Sequence, residues 1–319
     1  MDAAARARLR LHRFATTVAG ATLILIFVGG LVTSTGSGLA VPDWPLSFGQ
    51  LFPRMVGGVL YEHGHRLVAA TVGLATLVLT ITVWMVDRRR SVRVVASAAI
   101  GAVVAQGVLG GLTVLLLLPP AVSVAHACLA QAFLCLTVAL AVMTSPAWND
   151  GRRLADDGAP SLALLTRVTA AAVYVQLILG AVMRHTGAGL AIPDFPLAFG
   201  GLVPPFDRPG VAIHFAHRLG ALVVLALVTW TALTVRGRCR HEGGLRRPAL
   251  LACALGALQI TLGALTVWSE KAVLPTTAHV AVGAALLATT FVLALRTGRL
   301  VAITRPSAAR LFARGGVAA

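Results

Sequence analysis

The chain has 319 residues, of which 57% are hydrophobic and 12% charged, with a mean hydropathy of +0.85 and a formal net charge of +16. A soluble domain of this length cannot bury so much apolar material, so composition excludes a water-soluble globular protein and points to an integral membrane protein. Nucleic acid is excluded as well, because the arginines sit in clusters between apolar runs and form no single basic face.

Eight apolar runs of about 20 residues, each long enough to cross roughly 30 Å of hydrocarbon, are predicted at 15–34, 63–86, 94–117, 123–143, 165–183, 212–235, 248–268 and 275–296. The first follows Arg6, Arg8, Arg10 and Arg13, as the core of a cleaved signal peptide does. Its counterpart, the fifth run, is internal, so the first is read as retained. With the N-terminus inside, the inward segments hold 21 arginines and the outward segments only Arg54, Arg184, Arg208 and Lys271. The positive-inside rule therefore puts both termini in the cytoplasm of a cell-membrane protein. Arg66 and Arg218 fall just within the outer ends of runs two and six.

The sequence is written twice. Gly38-Leu-Ala-Val-Pro-Asp-Trp-Pro-Leu-Ser-Phe-Gly49 returns as Gly189-Leu-Ala-Ile-Pro-Asp-Phe-Pro-Leu-Ala-Phe-Gly200, with nine of twelve positions identical. Tyr61-Glu-His-Gly-His-Arg-Leu67 returns as Ile213-His-Phe-Ala-His-Arg-Leu219. Four runs per half give both halves the same sense in the membrane. The expected fold is all-α: eight transmembrane helices as two parallel four-helix bundle repeats, 1–148 and 149–319, joined by a polar cytoplasmic linker at 144–160 containing Asn149, Asp150, Gly151, Asp156, Asp157 and Gly158. The repeated loops, 36–61 and 187–211, are too apolar for free solvation and are expected to fold over the outer face as lids. Asp43 and Asp194, beside prolines, are read first as turn-fixing residues.

His12 and His241 lie among arginines and are read as solvated. His65, His126, His217 and His279 open runs two, four, six and eight, which places them within about one turn, roughly 5 Å, of the outer boundary. One such histidine alone is commonly a hydrogen-bonded residue at a helix end. Four at one depth, with 65 in register with 217 and 126 with 279, point to paired ligation. Paired imidazoles from facing helices suit haem iron, whereas zinc or copper usually takes a third and fourth ligand that these sites do not clearly offer. Arg66 and Arg218 are then propionate partners or, alternatively, snorkel to the headgroups. Glu62 shares a helix face with His65 at three residues' spacing. It is read as the catalytic carboxylate, with a salt bridge to Arg66 as the alternative, and its counterpart in the repeat is His214. The four cysteines include none in an outer loop, so no disulfide is expected there. Glycines such as Gly57, Gly58, Gly107, Gly110, Gly111, Gly180, Gly220, Gly256, Gly263 and Gly283 are read as close-packing positions.

These residues together, Glu62-x-x-His65-Arg66, His126, His217-Arg218, His279 and the paired Gly-Leu-Ala-x-Pro-Asp-aromatic-Pro loops, resemble the haem A synthase family from about residue 15 to 297. The resemblance implies oxidation of the pyrrole methyl of haem O to a formyl group through a hydroxymethyl intermediate. It implies a substrate haem in the half that holds His65 and His126, and a haem b in the other, on His217 and His279. A haem O synthase (farnesyltransferase) is an implied upstream partner, and the electron donor or acceptor is unassigned. Many bacterial members carry a cysteine pair in the first outer loop, where this chain has Val41 and Ser47. Two other classes share these features. A dihaem b-type electron carrier usually places its sites across both membrane faces, and a proton-coupled transporter with parallel repeats would contain no haem.

Overall fold

A computed structural model describes residues 3–148, 154–156 and 158–303. Within them are eight helices long and apolar enough to cross a membrane: α1 (Ala3–Ser34), α2 (Gly58–Val86), α3 (Arg90–Leu115), α4 (Pro120–Met143), α5 (Leu162–His185), α6 (Pro209–Arg238), α7 (Gly243–Trp268) and α8 (Val273–Leu300). This is a multi-pass membrane protein. Leucines, isoleucines and tryptophans along the helices, among them Leu74, Ile81, Trp84, Leu222 and Leu250, face outward and are more than half exposed. Such side chains belong in lipid, where every main-chain polar group is satisfied within its own helix.

Most helices overrun the apolar runs at one or both ends, because a helix continues through polar residues once its first turns are formed. α1 begins at Ala3, twelve residues before its predicted span, and α2 begins at Gly58. Prolines at the first position start α4 and α6, where the missing N–H has no partner to lose. The Ser161 hydroxyl accepts from Leu164 N at the start of α5. Threonine hydroxyls inside the spans turn back to the carbonyl one turn earlier, as at Thr22, Thr76 and Thr290, which removes a donor from the apolar surroundings.

Among the first four helices α1 packs on α2 and α4, and α3 on α2 and α4; α5 to α8 repeat these contacts, and the two sets meet through α1 on α8, α4 on α5 and α4 on α8. Buried hydroxyls bond between helices, Thr169 to Thr231 at 2.7 Å and Thr166 to Thr297 at 2.6 Å. Each such bond contributes on average about 0.6 kcal/mol in a membrane bundle.

Several expectations change. His12 is half-buried, its Nδ1 3.0 Å from the Ala141 carbonyl oxygen at the end of α4, so it is an interhelical contact and not a solvated residue. Cys239 is buried at the end of α6. Gly57 and Gly107 have nothing within 4 Å of an added Cβ; Gly57 serves its positive φ of 56° at the start of α2, a region that favours glycine. The linker is pinned in part: Asp156 is buried, accepts from Leu162 N at 2.6 Å and pairs with Arg238 at 3.1 Å. Its strand β1 (Leu154–Asp156) pairs in parallel with β2 (Val301–Ile303), a small sheet that the all-α expectation did not contain. Asn149, Asp150, Gly151 and Asp157, the boundary between the halves and the arginines at 152, 153, 305, 310 and 314 lie outside the described residues.

Candidate functional site

The four candidate histidines stand at one end of the bundle, on α2, α4, α6 and α8. Counted from the helix starts they are six to eight residues in, about 9–12 Å along the axis at 1.5 Å per residue. The helices begin before the apolar runs, so the rings stand further from the helix starts than from the starts of those runs. Each ring lies against a glycine of the preceding helix. A Cβ added at Gly29 would stand 3.1 Å from Cε1 of His65; at Gly110, 3.3 Å from His126; at Gly180, 3.0 Å from His217; and at Gly263, 3.3 Å from His279. A side chain at any of the four would press on the ring, so one packing device occurs four times. Gly29 was not singled out from sequence; the others were, without their partners.

His217 and His279 face each other with ring centroids 6.4 Å apart and planes inclined at 69°. Two imidazole nitrogens, each about 2 Å from one shared metal ion, would set the ring centres roughly 6 Å apart, a separation close to that of this pair. A cavity of about 50 Å³ adjoins them, lined by Gln176, Leu177, Gly256, Gln259 and Gly283 among others. His126 lies within electrostatic reach of His65. Among the described residues no group of three or more His, Cys, Asp or Glu is placed to hold a metal ion, which separates these pairs from a closed zinc site.

Above the rings the repeated loops close on the helix ends by matching bonds. Asp43 accepts from Phe48 N at 2.7 Å and Gly49 N at 2.8 Å; Asp194 accepts from Phe199 N and Gly200 N, both at 2.8 Å. The N–H groups of Gly49 and Phe48, aided by Arg66, hold the Asp43 carboxyl below its usual range, and those of Gly200 and Phe199, with Arg218, do the same for Asp194. Arg66 donates to the carbonyls of Asp43 and Leu46, and Arg218 to those of Asp194 and Leu197. Both arginines thus hold loop backbone. Trp44 packs on Gly111 of α3, whereas Phe195 meets Trp268 of α7 edge-on at 6.0 Å and accepts its indole N–H.

Glu62 is 4% exposed, and both its oxygens are engaged: one accepts from Val41 N at 2.8 Å, the other from Arg66 at 2.7 Å. Its counterpart His214 takes the matching loop amide, with Ile192 N 3.2 Å from its Nδ1. The position therefore anchors a loop in both halves, but only the first half places a carboxylate there. His63, one residue on, is buried with Nδ1 2.8 Å from Ser47 Oγ and Nε2 unpartnered; its counterpart is Phe215. Sequence reasoning also passed over Arg184, which reaches from α5 to the Gly30 carbonyl at 3.1 Å and Ser34 Oγ at 2.9 Å on α1. An arginine ending an apolar run was the available signal.

Residues 57–291 match the family model described as cytochrome oxidase assembly protein, COX15-CtaA. This chain belongs to the COX15-CtaA family. Relatives in it are named haem A synthase. That of Symbiobacterium thermophilum is 38% identical over 76% of this chain and 81% of its own length. The one from Geobacillus kaustophilus is 28% identical, over 90% and 92%. The one from Rhodopseudomonas palustris is 30% identical, over 85% and 86%. The COX15-CtaA match begins at the turn before α2 and runs to within the last turns of α8, so it takes in all four histidines, Glu62 and both arginines.

Proposed function

We propose that this protein is a haem A synthase of the cell membrane, an oxidoreductase that converts the pyrrole methyl group of haem O to a formyl group through a hydroxymethyl stage. The observation that carries the reading is the facing pair His217 and His279, with His65 and His126 at the corresponding places and each ring backed by a glycine, at one end of a chain of this family. The positive-inside count puts that end outside and both termini in the cytoplasm.

In this reading the first half, 1–148, takes haem O on His65 and His126, and the second, 149–319, keeps a haem b on His217 and His279. A bound haem b would supply one-electron redox chemistry. The protein's own residues do the rest. The four glycines set the distance at which each imidazole stands, and the pinned loops restrict water over the rings. Arg66 and Arg218, which hold the loop backbone, would also meet the propionates of a bound haem. Glu62 supplies the difference between the halves: a carboxylate one turn from His65, held by Arg66 and Val41 N, that can take up or pass a proton when the loop bond opens. Haem O arrives from a farnesyltransferase in the bilayer, which suits a porphyrin carrying a farnesyl chain.

The test is to purify the protein from cells that supply haem O and to identify the extracted haems by mass. Haem b together with haem O, its hydroxymethyl form or haem A is the expected result. Haem b alone would indicate an electron carrier, and no haem after gentle purification would indicate a transporter.

A further inference from the structure

Gln176 lies on α5 one turn before Gly180, on the helix face that backs His217. Its amide nitrogen is 3.0 Å from His217 Nδ1 and 2.8 Å from the His217 carbonyl oxygen. On α6 the space for this amide is made by a glycine: a Cβ added to Gly220 would stand 2.1 Å from Gln176 Oε1, an outright collision. In the first half both partners differ together. The register that carries Gly29 onto Gly180 puts Leu25 at the place of Gln176, and the register that carries His65 onto His217 puts Val68 at the place of Gly220. Leu25 and Val68 pack into the apolar core of that half, and Nδ1 of His65 is buried with no hydrogen-bond partner.

An imidazole that gives Nε2 to a metal carries its proton on Nδ1, and the group that receives that proton fixes the ring's orientation and its donor strength. A glutamine amide turned over would offer its oxygen to that Nδ1 proton; in the structure the nitrogen stands at this spot and also donates to the His217 carbonyl, so the turn exchanges that bond for the one to the ring. We propose that Gln176, admitted by Gly220, is the positioning residue that makes the second half a permanent haem site, and that His65, lacking such a partner, is the ligand that lets its haem go. A resident cofactor gains from a ligand that cannot turn away. A substrate haem has to leave after each round. The inference rests on the reading above that His217 and His279 hold the haem b.

The experiment compares purified wild type, Gln176→Met, Gln176→Glu and His217→Ala for haem b content, for the rate of haem b transfer to an excess of a haem-free acceptor protein, and for midpoint potential. Gln176→Met keeps the volume and removes the hydrogen bond; haem b release about tenfold to a hundredfold faster, with a shifted potential, is expected. Gln176→Glu should retain the slow release and move the potential in the negative direction, since a carboxylate draws the Nδ1 proton more strongly. A packing role alone would leave the potential of the Met variant where it was, and that result would overturn the proposal. Transplanting the device, Leu25→Gln with Val68→Gly, should slow loss of haem from the first half; unchanged release there would also count against it. If His217→Ala keeps a normal haem b, the assignment of the halves fails first. If His217→Ala loses haem b while both Gln176 variants match wild type, the assignment stands and the role of Gln176 falls.

Discussion

Replacing Gly180 by alanine tests the packing of the rings directly. The added methyl would stand 3.0 Å from Cε1 of His217, about 0.4 Å inside the 3.4 Å at which ordinary van der Waals contact begins. His217 is half-buried and held by Gln176 on the same side, so relief comes from moving the ring towards His279 or tilting it out of line. Overpacking of this size costs about 1–3 kcal/mol, which corresponds to a haem b affinity lowered by about fivefold to 150-fold at 1.4 kcal/mol per decade. Gly263→Ala presses on His279, the other proposed ligand, from 3.3 Å, only about 0.1 Å short, and should cost much less. Gly237→Ala on α6, where an added Cβ meets nothing within 4 Å, serves as the control and should retain all its haem while gaining helix propensity. The assay is haem b per protein after purification, followed by titration of haem into stripped protein. The ring-backing argument is refuted if Gly180→Ala binds haem as Gly237→Ala does, or if Gly263→Ala is the more damaging of the two.

Three further outcomes are expected. Alanine at His217 or His279 should abolish the low-spin haem b signal, while alanine at His65 or His126 should leave it; the reverse pattern would exchange the roles of the halves. Glu62→Ala and Glu62→Gln should retain haem O and yield little haem A, measured by mass in extracts, and near-normal haem A in both would remove Glu62 from the chemistry and leave it the loop anchor that His214 also is. Asp43 has a carboxyl held below its ordinary value of 3.8 by the Gly49 and Phe48 amides, so its support for the loop is complete above that pH and is lost as pH falls through the lower folded value. Amide exchange across 43–49 should therefore differ between wild type and Asp43→Asn at neutral pH and converge in strong acid; no difference at neutral pH would show that the turn does not depend on the carboxylate.

Much of this arrangement is legible along the sequence because it is written in one dimension. Hydropathy marks eight spans, and the register of His65 with His217 and of His126 with His279 survives as spacings of 152 and 153 residues. What hydropathy does not mark is where a helix stops, so it leaves 58–61 and 209–211 in the outer loops, where the structure has the first turns of α2 and α6. A glycine within an apolar run carries no sign of what stands against it, which is why Gly29 went unnoticed and why Gly180 and Gly263 could be read only as packing positions. Gln176 is a single polar residue in a span, and its meaning depends on Gly220, 44 positions away. For Glu62 the spacing to His65 and Arg66 is local and readable. That its other oxygen takes Val41 N, and that an imidazole does the same work at His214, depends on a loop folding back 21 residues.

Arg184 gives the fold a tie between its halves. Through this side chain the last turn of α5 grips the carbonyl of Gly30, next to the glycine on which His65 rests, while four residues earlier the same helix presents Gly180 to His217. α5 thus borders the surroundings of both rings, through Gly180 at one and through Arg184 beside the other. Wherever filling one site alters binding at the other through that helix, thermodynamic reciprocity makes each ligand alter the other's affinity by the same factor.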